Sequence, residues 1–222
     1  MTAITAFAQP SAAYLLTDGA LYHPDGVVAS ICSKTLIAEA IRLAIAPSGR
    51  CTSVDIAGEL ERAGAASQAA VMVAIPAALW RIRAANVADA TPDPDMQVHV
   101  ALWSERADEP QIWMIATNRP ECWGPYRPGT WLRVDAIVGG DASADDILGR
   151  SVRLDDPASF DPVADCAALI DYQRAAPWPD GRHYIGGMAE LVTVSRSSVS
   201  QTILRRWPDK VGALIAPSSL PQ

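Results

Sequence analysis

Apolar residues dominate the start of the chain, but they come in short runs broken by turn residues rather than at helical spacing. Thr2 to Ala8 alternates small and larger apolar residues, and Gln9-Pro10-Ser11 closes that run as a turn. Ala13 to Tyr22 is a second strand-like run carrying Tyr14, Leu15, Leu16, Leu21 and Tyr22. In His23-Pro24-Asp25-Gly26, proline takes a turn's second position and glycine sits where a positive φ is wanted. Val27 to Lys34 then returns as the partner strand of a β-hairpin. A further strand through Arg42 to Ala46 ends at Pro47-Ser48-Gly49.

The period then changes. Thr52 or Ser53 can cap a helix with Val54, Ile56, Leu60 and Ala63 on one side. After Gly64, an alanine-rich segment from Ala66 towards Arg83 predicts a second, mostly buried helix, and Ala84 to Met96, with Pro92 and Pro94, a loop. Val98 to Trp103 and Gln111 to Thr117 flank a turn and form a second hairpin. Asn118 to Thr130 is loop-like. Trp131 to Val138 is a strand ending at Gly139-Gly140. Asp161 to Ala175 predicts a helix with Val163, Cys166, Leu169 and Ile170 inside, and Met188 to Val194 a final strand. The order of strands, two helices, strands, helix and strand predicts an α+β domain with sheets packed between helical layers. One domain spans 1–222, with a C-terminal tail from about 208.

Composition narrows the function. The 222 residues carry a net charge of −7, which argues against a nucleic-acid partner. The basic pair Arg205-Arg206, followed by Trp207 and Asp209, reads as a solvated end. Nothing near the N-terminus resembles a signal peptide. The apolar run Ala69–Leu79 is short, contains Pro76 and has charged flanks, so it suits a buried helix better than a membrane span. A cytoplasmic location without a membrane partner follows by default. Cys32, Cys51, Cys122 and Cys166 form no close pair, and His23, His99 and His183 lack metal-ligand spacing. No metal or cofactor is expected.

Only a removable Met1 precedes Thr2. Once Met1 is clipped, Thr2 carries a hydroxyl nucleophile and a free α-amine, and such an amine can act as general base to its own hydroxyl. Its reference pKa of about 7.7–8.0 suits proton transfer near neutral pH.

Tyr14-Leu15-Leu16-Thr17-Asp18-Gly19, His23-Pro24-Asp25-Gly26-Val27-Val28 and Ser33-Lys34-Thr35 together resemble the proteasome β-subunit-like branch of the N-terminal nucleophile hydrolases. Counted from Thr2, Asp18 and Lys34 fall at the separations of that family's catalytic threonine, aspartate and lysine. Gly49, displaced by one residue, is similar to the glycine whose N–H helps form the oxyanion hole. Tyr184-Ile185-Gly186-Gly187 resembles the entry to its last long strand. The resemblance implies a four-layer αββα sandwich of two mainly antiparallel sheets, a peptide or small-amide substrate, and a homo-oligomer. Thr2 would attack the carbonyl, Lys34 would lower the pKa of its hydroxyl and amine, Asp18 would hold Lys34, and Gly49 would bind the oxyanion. Ile185 and Arg182 stand where the family has a supporting serine and aspartate. Asp180 lies two residues early, and Thr130 and Ser143 are loose counterparts of a further serine.

Two classes of function follow. One is an amide-bond hydrolase using Thr2 as nucleophile. The alternative is a catalytically inactive, proteasome-like structural or assembly subunit. A third, weaker reading is a ligand-binding domain with a pocket lined by Trp103, Trp113, Trp123 and Trp131, although tryptophans at strand spacing are more often core.

Overall fold

The computed structural model describes residues 3–118, 125–138, 144–149 and 159–217. Strands β1 (Ile4–Gln9) and β2 (Ala12–Asp18) form the expected first pair. The run that continued to Tyr22 is broken at Gly19, where β3 (Ala20–Tyr22) leaves to pair with β4 (Val28–Ile31) as a separate two-stranded sheet. A Cβ on Gly19 would meet the Cys32 carbonyl oxygen at 3.0 Å and the Met188 side chain at 2.7 Å, so the crossing leaves no room for one. β5 (Leu36–Ala38) and β6 (Leu43–Gly49) follow.

Helix α1 (Ser53–Arg62) starts in a capping box, in which Thr52 Oγ1 accepts from Asp55 N and Asp55 accepts from Thr52 N. Its inner face is Ile56 and Leu60, whereas Val54, expected there, is exposed. Helix α2 (Gln68–Ala88) is capped by Ser67 and runs to Ala88, so the connecting loop is shorter than the one expected from Ala84. Pro76 inside α2 has no N–H to give the carbonyl four residues back, and Trp131 Nε1 donates to that Met72 oxygen at 2.8 Å instead. α2 is not mostly buried: Val71, Ile75, Ala78 and Leu79 face the core, while Val73, Trp80 and Val87 are exposed. By length and composition alone α2 would pass as a membrane span.

β7 (Met96–Ser104) and β8 (Glu109–Ala116) make the second hairpin. The single strand expected over Trp131–Val138 is two, β9 (Leu132–Val134) and β10 (Ala136–Val138), which belong to different sheets. Asp135 lies at that change of sheet, and its carbonyl accepts from Ala8 N. Its glycine end, Gly139-Gly140, is outside the described residues. A short α3 (Ala144–Leu148) precedes α4 (Ala164–Ala175). α4 starts later than expected because Asp161 Oδ1 caps the N–H groups of Val163 and Ala164, which leaves Val163 exposed. β11 (Met188–Ser195) and an additional strand, β12 (Val199–Arg206), complete the chain of elements.

The strands form two five-stranded antiparallel sheets, ordered β10-β1-β2-β11-β12 and β5-β6-β7-β8-β9, besides the β3–β4 pair. Their facing surfaces are packed with small residues: Ala6, Ala13, Ala44, Ala46 and Ala101 sit with Leu15, Ile112, Val192 and Val194. The alternate residues face helices. Leu43, Ile45, Val98 and Val100 pack with Ile56, Leu60 and Ile75, and Phe7, Leu16 and Leu191 pack with Cys166, Leu169 and Ile170. Strands buried on both faces read as apolar throughout, which is why the polar alternation of a half-exposed strand was absent from the sequence. Trp103 is buried, and Trp113 and Trp131 are partly buried and pack against the core; Trp123 is outside the described residues.

Candidate functional site

Asp18 ends β2 where Gly19 leads the chain out of the sheet, and its side chain is wholly buried. Four donors among the described residues hold its carboxylate. Oδ1 accepts from Ala3 N at 3.2 Å and from Lys34 Nζ at 2.8 Å, and Oδ2 accepts from Ala20 N and Gly186 N, both at 3.2 Å. Lys34 is 4% exposed, so this is a buried ion pair and not a surface one. The structure thus brings Asp18 and Lys34 together. Thr2 lies outside the described residues, as does Ser143. Ala3, the next residue in the chain, is buried with its amide on the Asp18 carboxylate.

The turn carrying Lys34 is fastened on both sides. Ser33 Oγ donates to Glu190 Oε1 at 2.8 Å and accepts from Thr35 N at 3.2 Å. Thr35 Oγ1 lies 3.5 Å from Thr17 Oγ1. Glu190 is 1% exposed, and its second carboxylate oxygen has no partner among the described residues. The sequence carried one signal for it, a lone carboxylate inside an otherwise apolar strand, Met188 to Val194.

Lys34 opens on a cleft of about 840 Å³ that Tyr22, Ser33, Gly49, Thr52 and Tyr184 also line. Gly49 ends β6 at φ +84°, where a Cβ would meet the Asp95 carbonyl oxygen at 2.4 Å, so only glycine fits. β5 covers β6 only from Leu43 to Ile45, and the ladder to β7 continues to Gly49, so the last part of β6 has a sheet partner on one side only. Tyr22 and Tyr184 pack ring to ring at 4.7 Å.

Asp180 does not reach this network: its carboxylate accepts from Tyr184 Oη at 2.6 Å and from Arg182 N. The Tyr184 hydroxyl, then the Arg182 amide, hold it below the usual carboxylate range. Thr130 Oγ1 donates to the Arg127 carbonyl in its own turn. Cys51, in the cleft wall, is pushed up to about 12 by burial and then by Asp55.

Among solved structures, the chain is similar to Anbu (ancestral beta-subunit) from Yersinia bercovieri, with a TM-score of 0.63 and 11% sequence identity, over 93% of this chain and 88% of that one. The chain has a proteasome-like fold. At that identity the likeness speaks for the fold alone. No family model and no curated protein matches the sequence. The Asp18–Lys34 pair lies beside the cleft, with Asp18 at the end of a paired strand. The support around the pair, from Glu190, Gly186 and Ser33, comes from this chain's own residues.

Proposed function

We propose that the protein is an amide-bond hydrolase whose nucleophile is the hydroxyl of Thr2, exposed by removal of Met1. The observation that carries the reading is the buried Asp18–Lys34 pair at 2.8 Å, which also holds the amide of Ala3, the residue after Thr2. Thr2 Oγ1 attacks the carbonyl, its α-amine takes the hydroxyl proton, and the leaving amine departs with a proton as an acyl-enzyme forms. Water then hydrolyses the ester. In this reading Lys34 is the cation that assists the nucleophile, and the Gly49 N–H receives the oxyanion; losing one such donor costs about 2.7–4 kcal/mol. The partly uncovered edge of β6 along the cleft supports an extended peptide as substrate. In this reading the sheets and helices form a four-layer αββα sandwich, and the chain works as a cytoplasmic homo-oligomer.

A second reading, a non-catalytic structural or assembly subunit, is favoured by one observation. Ile185 and Arg182 stand where the resemblance calls for a serine and an aspartate, and Asp180 is tied to Tyr184. Incubation with a hydroxyl-reactive peptide β-lactone, read by intact mass and peptide mapping, separates the two. An adduct on a Thr2 N-terminus supports the hydrolase. A Met1-processed protein that takes none supports the subunit.

A further inference from the structure

The segment after β12, expected as a C-terminal tail from about 208, is exposed along most of its length but is fastened to the body at Trp207, Asp209 and Ile215. Trp207 N donates to the Gly187 carbonyl at 3.0 Å. Two residues on, Asp209 receives a bidentate bond from Arg174 of α4, with Nη1–Oδ2 and Nη2–Oδ1 both 2.7 Å. The two side chains are 7% and 4% exposed. Each also holds a backbone group of the same corner: Arg174 Nη1 donates to the Ile185 carbonyl at 2.8 Å, and Gly187 N donates to Asp209 Oδ2 at 2.7 Å. Trp207 lies under the guanidinium at 4.7 Å. The chain then reaches the β3–β4 pair, where Val28 exchanges bonds with Gly212 and Ala213, and Ile215 packs on Ala20 and Val28.

The corner so held is the one that reaches the candidate site. Gly186 N donates to Asp18 Oδ2, and Gly19 N donates to the Gly186 and Met188 carbonyls. We propose that Arg174 and Asp209 are positioning residues: the C-terminal segment clasps the Ile185–Gly187 corner so that Gly186 keeps its bond to Asp18, and Asp18 keeps Lys34 in place. The consequence for catalysis rests on the hydrolase reading; the clasp itself does not.

Two facts distinguish a positioning role from general stability. A buried ion pair is a poor way to gain stability, since well-packed apolar residues in its place often do as well or better, whereas it specifies geometry strongly. At Gly186 and Gly187 the corner also carries no side chain that could intrude. A Cβ on Gly186 would lie 2.7 Å from Asp209 Oδ2 and 3.0 Å from Arg174 Nη1, and Gly187 holds φ +75°. Glycines and ion pair fit as one unit.

Hydrogen exchange of the full-length chain, followed by peptide mass spectrometry without substrate, tests the clasp in Asp209→Asn and in Arg174→Lys, which keeps the charge but loses the fork. The expected result in both is exchange about tenfold faster at Gly19, Ala20, Gly186 and Gly187, with β6 to β8 changed by less than about twofold. Where the parent chain forms the Thr2 adduct, the limiting rate of its formation falls with the half-saturating concentration unchanged. Exchange unchanged at the corner, or raised equally in every strand, overturns the proposal. A parent chain without adduct refutes the hydrolase reading and leaves the exchange result to decide the clasp.

Discussion

Removing the ammonium of Lys34 measures how far the Asp18 site is shut off from water. In Lys34→Met the Asp18 side chain stays wholly buried, with three backbone N–H groups and no countercharge among the described residues. Breaking a buried pair by deleting one partner costs about 3–5 kcal/mol, against about 0–1 kcal/mol for an exposed one. The three remaining amides place the expected loss near the low end, at about 3 kcal/mol. Asp18→Asn should cost at least as much. Whichever way the amide is turned, its NH₂ meets a donor pair, either Ala3 N and Lys34 Nζ or Ala20 N and Gly186 N. Urea unfolding of the parent and both variants, at low and at about 1 M salt, reads these differences from the midpoints. A loss below about 1 kcal/mol for Lys34→Met, or one that disappears in high salt, would refute the reasoning, because the pair would then behave as solvated.

Three further outcomes are expected. Burial holds the His99 imidazole down to about 4 from an ordinary 6.5, against a bond it donates to the Ala46 backbone, which raises it. The folded chain therefore keeps His99 neutral while the unfolded chain takes up a proton. Its contribution to stability is complete above about pH 6.5 and is lost as pH falls towards 4, by about 3 kcal/mol, and His99→Leu should remove that slope in unfolding measured between pH 7 and 4.5. Gly49→Ala forces a positive-φ alanine against the Asp95 carbonyl and should cost more than about 1 kcal/mol, whereas Gly58→Ala, inside α1 with open space around it, should gain about 0.5–1 kcal/mol; thermal unfolding of the pair checks the contrast. Among the described cysteines, iodoacetamide at pH 8 should label exposed Cys32 first and leave Cys51, buried and pushed up to about 12, unmodified in the native protein, as peptide mapping will tell.

What could be read in advance follows from where the information lies. Asp18 and Lys34 were legible through the resemblance, because their separations from Thr2 are those of the family's catalytic residues; Asp18 ends β2, and Lys34 lies in the segment between β4 and β5. The extra strand β12 was not, because it is an edge strand with Ser200, Gln201 and Thr202 exposed, which reads as loop. The strand break at Gly19 was hidden for the opposite reason: residues on both sides of it are apolar, and only the tertiary path sends them to different sheets. α2 was cut short because Pro92 and Pro94 drew the loop boundary back to Ala84, although nothing from Ala84 to Ala88 opposes a helix.

The clasp lay beyond sequence reasoning of this kind, since Arg174 and Asp209 are joined by no period and stand on a helix and a non-repetitive segment. Yet it bears directly on the choice between the two functions. A scaffold subunit needs its strands packed, and the clusters of Ala, Leu and Val between and beside the sheets provide that without a charged corner. Near Asp18 the chain instead buries Lys34, Glu190, Arg174 and Asp209, each costly to desolvate and each bonded to backbone or side chains around one carboxylate and one ammonium. In some proteins such groups are retained because they fix one geometry and not for the stability they add. Arg174→Met with Asp209→Leu separates these pressures: a chain as stable as the parent by urea midpoint that no longer takes the Thr2 adduct argues for chemistry at the cleft. Stability and adduct formation both retained would show that the hydrolase reading gains nothing from the polar corner.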